Sequence, residues 1–317
     1  MPADRPAPAP VQAATAAPVS AQSIEATRRQ RLAEFWSDFA RSRIAVLALA
    51  VIVTLMVLAF GAPWVTPQDP YNMRELDWAD AFLRPGTVGT GGYVHWLGTD
   101  NVGRDMVSAI LYGLRTSFVI GLSAGALALA IGITLGLTAA YAGGRPENVL
   151  MRIVDLQLSM PAILLALVLV ALLGPGVWQI VLALAVAQYA YFARTTHGAA
   201  KVERRKDYVE AARSTPLPTH RVLFRHLLPN VMPPLIVVAT VQVAAAIALE
   251  ATLSFLGVGL PLTEPSLGSL ISNGFRYIHT DRTWLSIYPG LALMITVVAI
   301  NLVGDQVRTV LDPRQSR

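Results

Sequence analysis

Long uncharged, apolar runs alternate with short polar segments along most of this chain, and charges and prolines mark where each run ends. A helix crossing the hydrocarbon of a bilayer needs about 20 such residues, so the runs locate candidate spans. The first covers 44–62 and is closed by Pro63. A second, rich in Gly and Ala, covers 115–141. Between Asp155 and Arg194 lie about 38 uncharged residues, enough for two spans only if Gly174-Pro175-Gly176 forms a tight hairpin. That turn gives spans over 152–173 and 177–196. Further apolar runs cover 231–257, interrupted by the single charge of Glu250, and 285–304. The pattern predicts an all-α membrane protein in which a six-helix transmembrane domain fills 44–310, followed by a short tail over 311–317.

The N-terminal part reads differently. Residues 1–22 are rich in Pro and Ala and nearly devoid of large apolar side chains, so they cannot offset chain entropy and are expected to be disordered. The order of a secretory signal (charged region, apolar region, cleavage site) is missing. From 23 to 43 the chain becomes Arg-rich and amphipathic, with Leu32, Phe35, Trp36 and Phe39 on one helical face. This predicts a helix lying on the membrane surface.

Composition agrees with the pattern: 54% of the 317 residues are hydrophobic and 14% charged, with a mean hydropathy of +0.51. The net charge of +5 is not arranged as a nucleic-acid-binding face. It reads as topology. With six spans and both termini inside, the inner segments hold 19 of the 25 Lys and Arg residues, which predicts cytoplasmic termini. Trp64, Trp96, Trp178, Trp284 and Tyr288 then fall near the outer interface. Cysteine is absent, which removes disulfides and thiolate chemistry. The five histidines include no pair at metal-ligand spacing, so no metal site is expected.

The most charged inner segment, 207–229 (DYVEAARSTPLPTHRVLFRHLLP), combines a helix-forming stretch, a break at Pro216 and Pro218, and a second helical stretch that Thr219 can cap. Val222, Leu223 and Leu227 give the second stretch an apolar face for a partner or for the bundle. From the residues alone it is either an ordinary basic loop or a projecting elbow. Glu250 is the one acid well inside a predicted span and should face the bundle interior or a partner, as a gate residue or a structural bond. Gln188, Gln242 and Asn301 are weaker pathway candidates, since polar residues in spans often bond between helices. Outside, Thr99, Asp100 and Asn101 can cap a helix starting near Arg104. Asp100, Arg104 and Asp105 there are candidates for a lid or for a docking surface. Local ion pairs are expected for Arg152 with Asp155 and for Asp305 with Arg308.

Glu210-Ala211-Ala212 followed by Leu228-Pro229 resembles the EAA loop of bacterial ABC-importer permeases, and DYVEAAR with FRHLLPN is similar to its form in the peptide and nickel group. Three further blocks resemble that group: HWLGTDNVGRDMVSAILYGLRTSFVIG (His95 to Gly121), EATLSFLGVGLPLTEPSLGSLIS (Glu250 to Ser272) and WLSIYPGLALMITVVAINLVGDQVRTVLDPR (Trp284 to Arg314). The resemblance covers about Arg43 to Arg314. It implies a type I importer permease, the second of a pair, in a bacterial inner membrane. It also implies a homologous permease partner, two ATPase subunits holding ATP and Mg, an extracytoplasmic solute-binding protein, and no cofactor in this chain. Tyr208, Glu210, Ala211, Ala212, Arg213, Pro216, His220, Leu228 and Pro229 are then the ATPase-coupling residues, with Glu210 facing basic groups of the ATPase. One departure is Pro216, where the family pattern usually has Gly. Proline cannot adopt the positive φ that Gly supplies there, so this elbow must turn differently.

Independently, the chain contains no phosphate-binding loop, because its only lysines, Lys201 and Lys206, follow Ala200 and Arg205 rather than Gly. ATP would act through another chain. The alternative of an ion-coupled secondary transporter calls for several intramembrane acids and repeated halves, and here there is one acid and no evident repeat. An intramembrane enzyme would need a nucleophile–base or metal arrangement on facing spans, and none is evident.

Overall fold

A computed structural model of the chain describes residue 30 and residues 33–72, 74–207, 209, 218–261 and 264–311. The Pro/Ala-rich tail, the first turns of the arm, Tyr208, 210–217 and 312–317 lie outside the described residues.

Helix α1 (33–40) carries Phe35, Trp36 and Phe39, whose ring centroids lie 5.8–6.2 Å apart. Phe39 is buried against Ala45 and Val307, and the Gln306 side chain donates to the Asp38 carbonyl. This end of the arm therefore packs on the end of the last helix, while Trp36 stays half exposed. Ser42 caps α2 (Arg43–Phe60) by accepting from the Ala45 N–H. Gly61 ends it, and Pro63 sits at the start of a short turn, α3 (Ala62–Val65).

The outer segment then folds into a compact loop containing a two-stranded hairpin, β1 (Thr87–Val88) paired antiparallel with β2 (Val94–His95). This hairpin departs from the purely helical expectation. Helix α4 (Met106–Ala142) follows, 37 residues long. At 1.5 Å per residue it measures about 55 Å, well beyond the ~30 Å of hydrocarbon. The helix expected near Arg104 and the span expected over 115–141 are thus one helix, capped by Asp105 rather than by Thr99, Asp100 or Asn101.

The run over 152–173 is not a single straight helix. It is divided into α5 (Gly144–Leu158) and α6 (Ala162–Leu173), which meet at 92°. Pro161 is the cause, since it cannot continue the hydrogen-bond ladder of α5 and instead starts α6. The turn Gly174-Pro175-Gly176, with φ of 86° and 144° at its glycines, leads into α7 (Val177–Glu203). Helix α8 runs from Thr219 to Phe255 and contains a π-helical stretch, Val222–Leu227. Helix α9 (Leu267–Phe275) and helix α10 (Trp284–Leu311) complete the bundle. Among the described residues, α2, α4, α8 and α10 are long and apolar enough to cross a membrane, and the bent α5–α6 pair is a fifth candidate.

The bundle is held by the faces of α4, whose largest interface is with α7. Gly136 lies so close to α7 that a Cβ there would stand 2.6 Å from both the Ala193 carbonyl oxygen and the Thr196 Cβ. Gly132 likewise meets the backbone at Tyr189 and Ala193. Small residues allow helix backbones to approach where lipid offers no hydrophobic driving force between helices. Gly136→Leu is therefore expected to force α4 and α7 apart and destabilise the fold by about 1–3 kcal/mol. Gly198→Ala, on α7 where nothing lies within 4 Å of a Cβ, should leave stability unchanged or raise it by up to ~1 kcal/mol. Thermal midpoints of the two variants in one detergent check this, and equal midpoints would refute the role of the seam.

Candidate functional site

The inner segment is described from Pro218 onward. Pro218 is extended and precedes the first turn of α8, where His220 is exposed. Val222, Leu223 and Leu227 are buried against the bundle, and Phe224 points outward. The apolar face of this stretch is therefore occupied within the chain. The Leu228 N–H reaches the Leu223 carbonyl five residues back, which closes the π-turn. Leu228 is partly buried and Pro229 exposed. Pro229, Pro233 and Pro234 each lack an N–H, so this part of α8 misses three helical donors within six residues. The Asn230 amide donates to the His226 carbonyl at 2.9 Å, supplying one donor from a side chain. Among the remaining coupling candidates, Tyr208, Glu210, Ala211, Ala212, Arg213 and Pro216 lie outside the described residues. Val209 between them is buried.

Beside this segment, Glu147 of α5 accepts from Lys201 Nζ at 2.7 Å and meets His197 Nε2 at 2.8 Å, both on α7. Lys201, and after it His197, hold the Glu147 carboxyl below the usual carboxylate range. Arg204 donates to the Ala140 carbonyl at the end of α4, where a cation suits the negative end of the helix. Asp155 does not pair with Arg152 as expected. It pairs with Arg194 across from α7, at 3.2 Å, because the bend after α5 turns its last turn toward that helix. No spacing along one helix would have signalled this.

Glu250 is fully buried near the outer end of α8. Ser117 of α4 donates to one carboxylate oxygen and Ser254, one turn on, to the other, each at 2.8 Å. The Ser266 hydroxyl, at the cap of α9, also reaches it. The acid thus ties three helices through hydroxyls, an arrangement of sequence-distant serines that the sequence reading missed. Gln188 is buried on α7 with neither amide atom hydrogen-bonded among the described residues. Asn301 donates to the Val297 carbonyl of its own helix.

Gln242 lines a groove of about 770 Å³ between α7, α8 and α10. Tyr191, Thr195, Asn230 and Arg308 share that lining. Arg308 makes no ion pair with Asp305 and is exposed instead.

The outer candidates turn inward. Asp100 accepts from the Val102 and Arg104 N–H groups at 2.9 Å, and burial pushes its carboxyl up. Asp105 caps α4 at Ser108 and meets His95 Nδ1 at 3.0 Å. Both side chains are at most 5% exposed and that of Arg104 9%, so all three brace the loop. The fully buried His95 was an unrecognised part of this network.

Apolar helices long enough to cross a membrane, a lined groove and buried polar ties between helices describe a helical membrane protein. The chain belongs to the family of binding-protein-dependent transport system inner membrane components, which matches residues 132–317. Residues 30–85 match the N-terminal TM domain of oligopeptide transport permease C. It is 39% identical over 285 residues to the di/tripeptide transport system permease protein DppC of Pseudomonas aeruginosa, covering 89% of this chain and 92% of that one. It is also 35% identical to the probable D,D-dipeptide transport system permease protein DdpC of Escherichia coli, covering 86% of this chain and 88% of that one. The fold is similar to a chain of the MetNI methionine ABC transporter, solved in an inward-facing conformation. That match has a TM-score of 0.53 at 21% identity and covers 65% of this chain and 97% of that one.

Two predictions follow from the polar ties. Glu250→Ala leaves buried hydroxyls unpaired and should cost about 2–3 kcal/mol, whereas Glu250→Gln keeps partners for them and should cost under about 1 kcal/mol. Thermal unfolding separates these, and retained transport by Glu250→Gln would mark the residue as a strut rather than a charged gate. The lowered Glu147 carboxyl contributes stability that is present above the usual carboxylate range and is lost as pH falls through its depressed value. The difference in thermal midpoint between wild type and Lys201→Met should accordingly be largest near neutral pH and vanish in acid. A difference that grows on acidification would exclude this pair as its source.

Proposed function

We propose that this chain is one of two homologous permease subunits of an ATP-driven importer of peptides or related small solutes, lining half of the solute pathway. Two ATPase subunits bind ATP and Mg on the cytoplasmic side, and an extracytoplasmic binding protein delivers the solute. This chain itself carries no cofactor and no hydrolytic centre. The named relatives are transport permeases for di/tripeptides and D,D-dipeptides, which supports the peptide class. Six spans with cytoplasmic termini follow if α7 is counted. At 27 residues it is about 40 Å long, and its inner end is made polar by Arg194, His197, Lys201 and Glu203. The distribution of Lys and Arg supports this orientation.

The observation that carries the coupling role is the continuity of α8. One helix joins the inner segment at Thr219 to the Glu250 tie near the outer end. Residues 207–229, including Glu210, Ala211, Ala212 and Arg213, dock on the ATPase, so that closure of the ATPase dimer moves α8. Its closure would open the pathway outward and hydrolysis would reset it inward. Glu210→Lys is expected to abolish ATP-driven uptake by the assembled complex while leaving membrane insertion and permease pairing intact. Uptake at the normal rate by that variant would defeat the docking assignment.

A further inference from the structure

The groove bounded by α7, α8 and α10 has an asymmetric chemistry. Its polar lining is made by Tyr191, Thr195, Asn230 and Gln242, and among the described residues Arg308 is the one ionised group that lines it, with no carboxylate beside it. Arg308 lies on the last turns of α10 with Asp305 one turn before it, yet the two make no ion pair, and the guanidinium remains exposed at the groove. Gln242 lies at the other end of the α8 wall. From Asn230 to Gln242 the helix rises twelve residues, about 18 Å, which matches about five residues of extended chain at ~3.3–3.6 Å each. Along that length the wall is apolar, made by Pro233, Pro234, Val237, Val238 and Val241, with Asn230 and Gln242 as the polar groups at its two ends. The Thr195 hydroxyl donates to the Tyr191 carbonyl, which leaves its oxygen able to accept.

An anion is favoured beside an exposed guanidinium, which can bind a carboxylate through two parallel hydrogen bonds. Neutral amides are accommodated by the Gln242 amide and by hydroxyls. Such a lining fits a short, uncapped peptide and rejects one whose terminal charge has been removed. Resting on the permease reading above, we infer that the groove is this chain's part of the solute path. A peptide occupies it extended, with its C-terminal carboxylate on Arg308 at the cytoplasmic mouth and its amides along Tyr191, Thr195 and Gln242. Arg308 is then a specificity residue that reads the free carboxylate as the solute leaves.

The chain has no cysteine, so a single reporter thiol gives a clean test. Val241→Cys, half exposed on the groove wall, is placed in the full nucleotide-free complex with cysteine-free partner subunits, and its reaction rate with a maleimide is measured. Trialanine should protect the thiol at concentrations at least ~tenfold lower than trialanine amide, the scale of one charge-assisted contact. Arg308→Gln should erase that difference and Arg308→Lys should largely keep it. Absence of protection, equal protection by the two peptides, or a difference that survives Arg308→Gln would each overturn the inference. So would a thiol that reacts in the isolated chain but not in the complex, because the partner permease would then fill the groove. ATP-driven uptake by the wild-type complex tests the permease reading separately. Its absence would sink that reading, whereas the labelling results judge the groove.

Discussion

Helix α4 meets three of its neighbours through glycines at different heights. Gly113 faces the start of α9 at Ser266 and Leu267, Gly121 and Gly125 face Ile247 and Val243 of α8, and Gly132 and Gly136 face α7. Inside a bilayer the apolar side chains gain nothing by leaving lipid for one another, so close backbone packing is what orders the helices. One helix thereby fixes the positions of three others. The groove lies between two of them, α7 and α8, together with α10. Its width is set by how tightly α4 holds both walls, because α7 and α8 share α4 as their common reference.

Against that fixed spine, α8 is unequal along its length. Its outer part is tied by the Glu250 carboxylate to Ser117 of α4 and to Ser266 at the cap of α9. Its inner part carries Pro229, Pro233 and Pro234 and begins with a π-turn. Missing helical bonds and a changed register make the inner part the easier end to bend. On the proposed reading, motion imposed near Thr219 is absorbed around these prolines, beside the groove, while the outer end stays registered to α4. The bond pattern itself thus locates where such a helix yields.

Much of this arrangement was legible in the chain. Charge-free length marked the apolar helices, and Gly174-Pro175-Gly176 marked the turn between α6 and α7, because both signals are local. The bend at Pro161 was not legible: it lies inside an uncharged run, where composition is silent about direction. Partners across helices were equally hidden. Asp155 has Arg152 one turn away but bonds to Arg194 on α7, and Glu147 finds His197 and Lys201 some 50 residues on. Glu250 was recognisable as a site because an acid in a span must be satisfied. Its serine partners were not, since serines are common and their meeting depends on the packing of α4, α8 and α9.

The outer loop shows the same dependence of role on packing. Asp100, Arg104 and Asp105 look in sequence like a charged docking patch, yet their side chains are spent inward, on turn N–H groups, on the cap of α4 and on His95. Gln68 bonds to the Asp105 N–H, and Thr99 joins the Asp80 carbonyl to the Leu83 N–H. Phe82, a bulky residue with φ of 60°, sits in a conformation that such residues seldom adopt without support. Its support comes from Arg282, 3.7 Å above the ring, and from Tyr277 edge-on at 5.0 Å, both in the link between α9 and α10. The nearby Arg84–Asp281 pair is exposed and adds little. The loop is therefore braced at two places, on the first turn of α4 and on the α9–α10 link. A load applied to it from outside would pass into both, and by way of α4, the helix that positions α7, α8 and α9, would reach the groove walls.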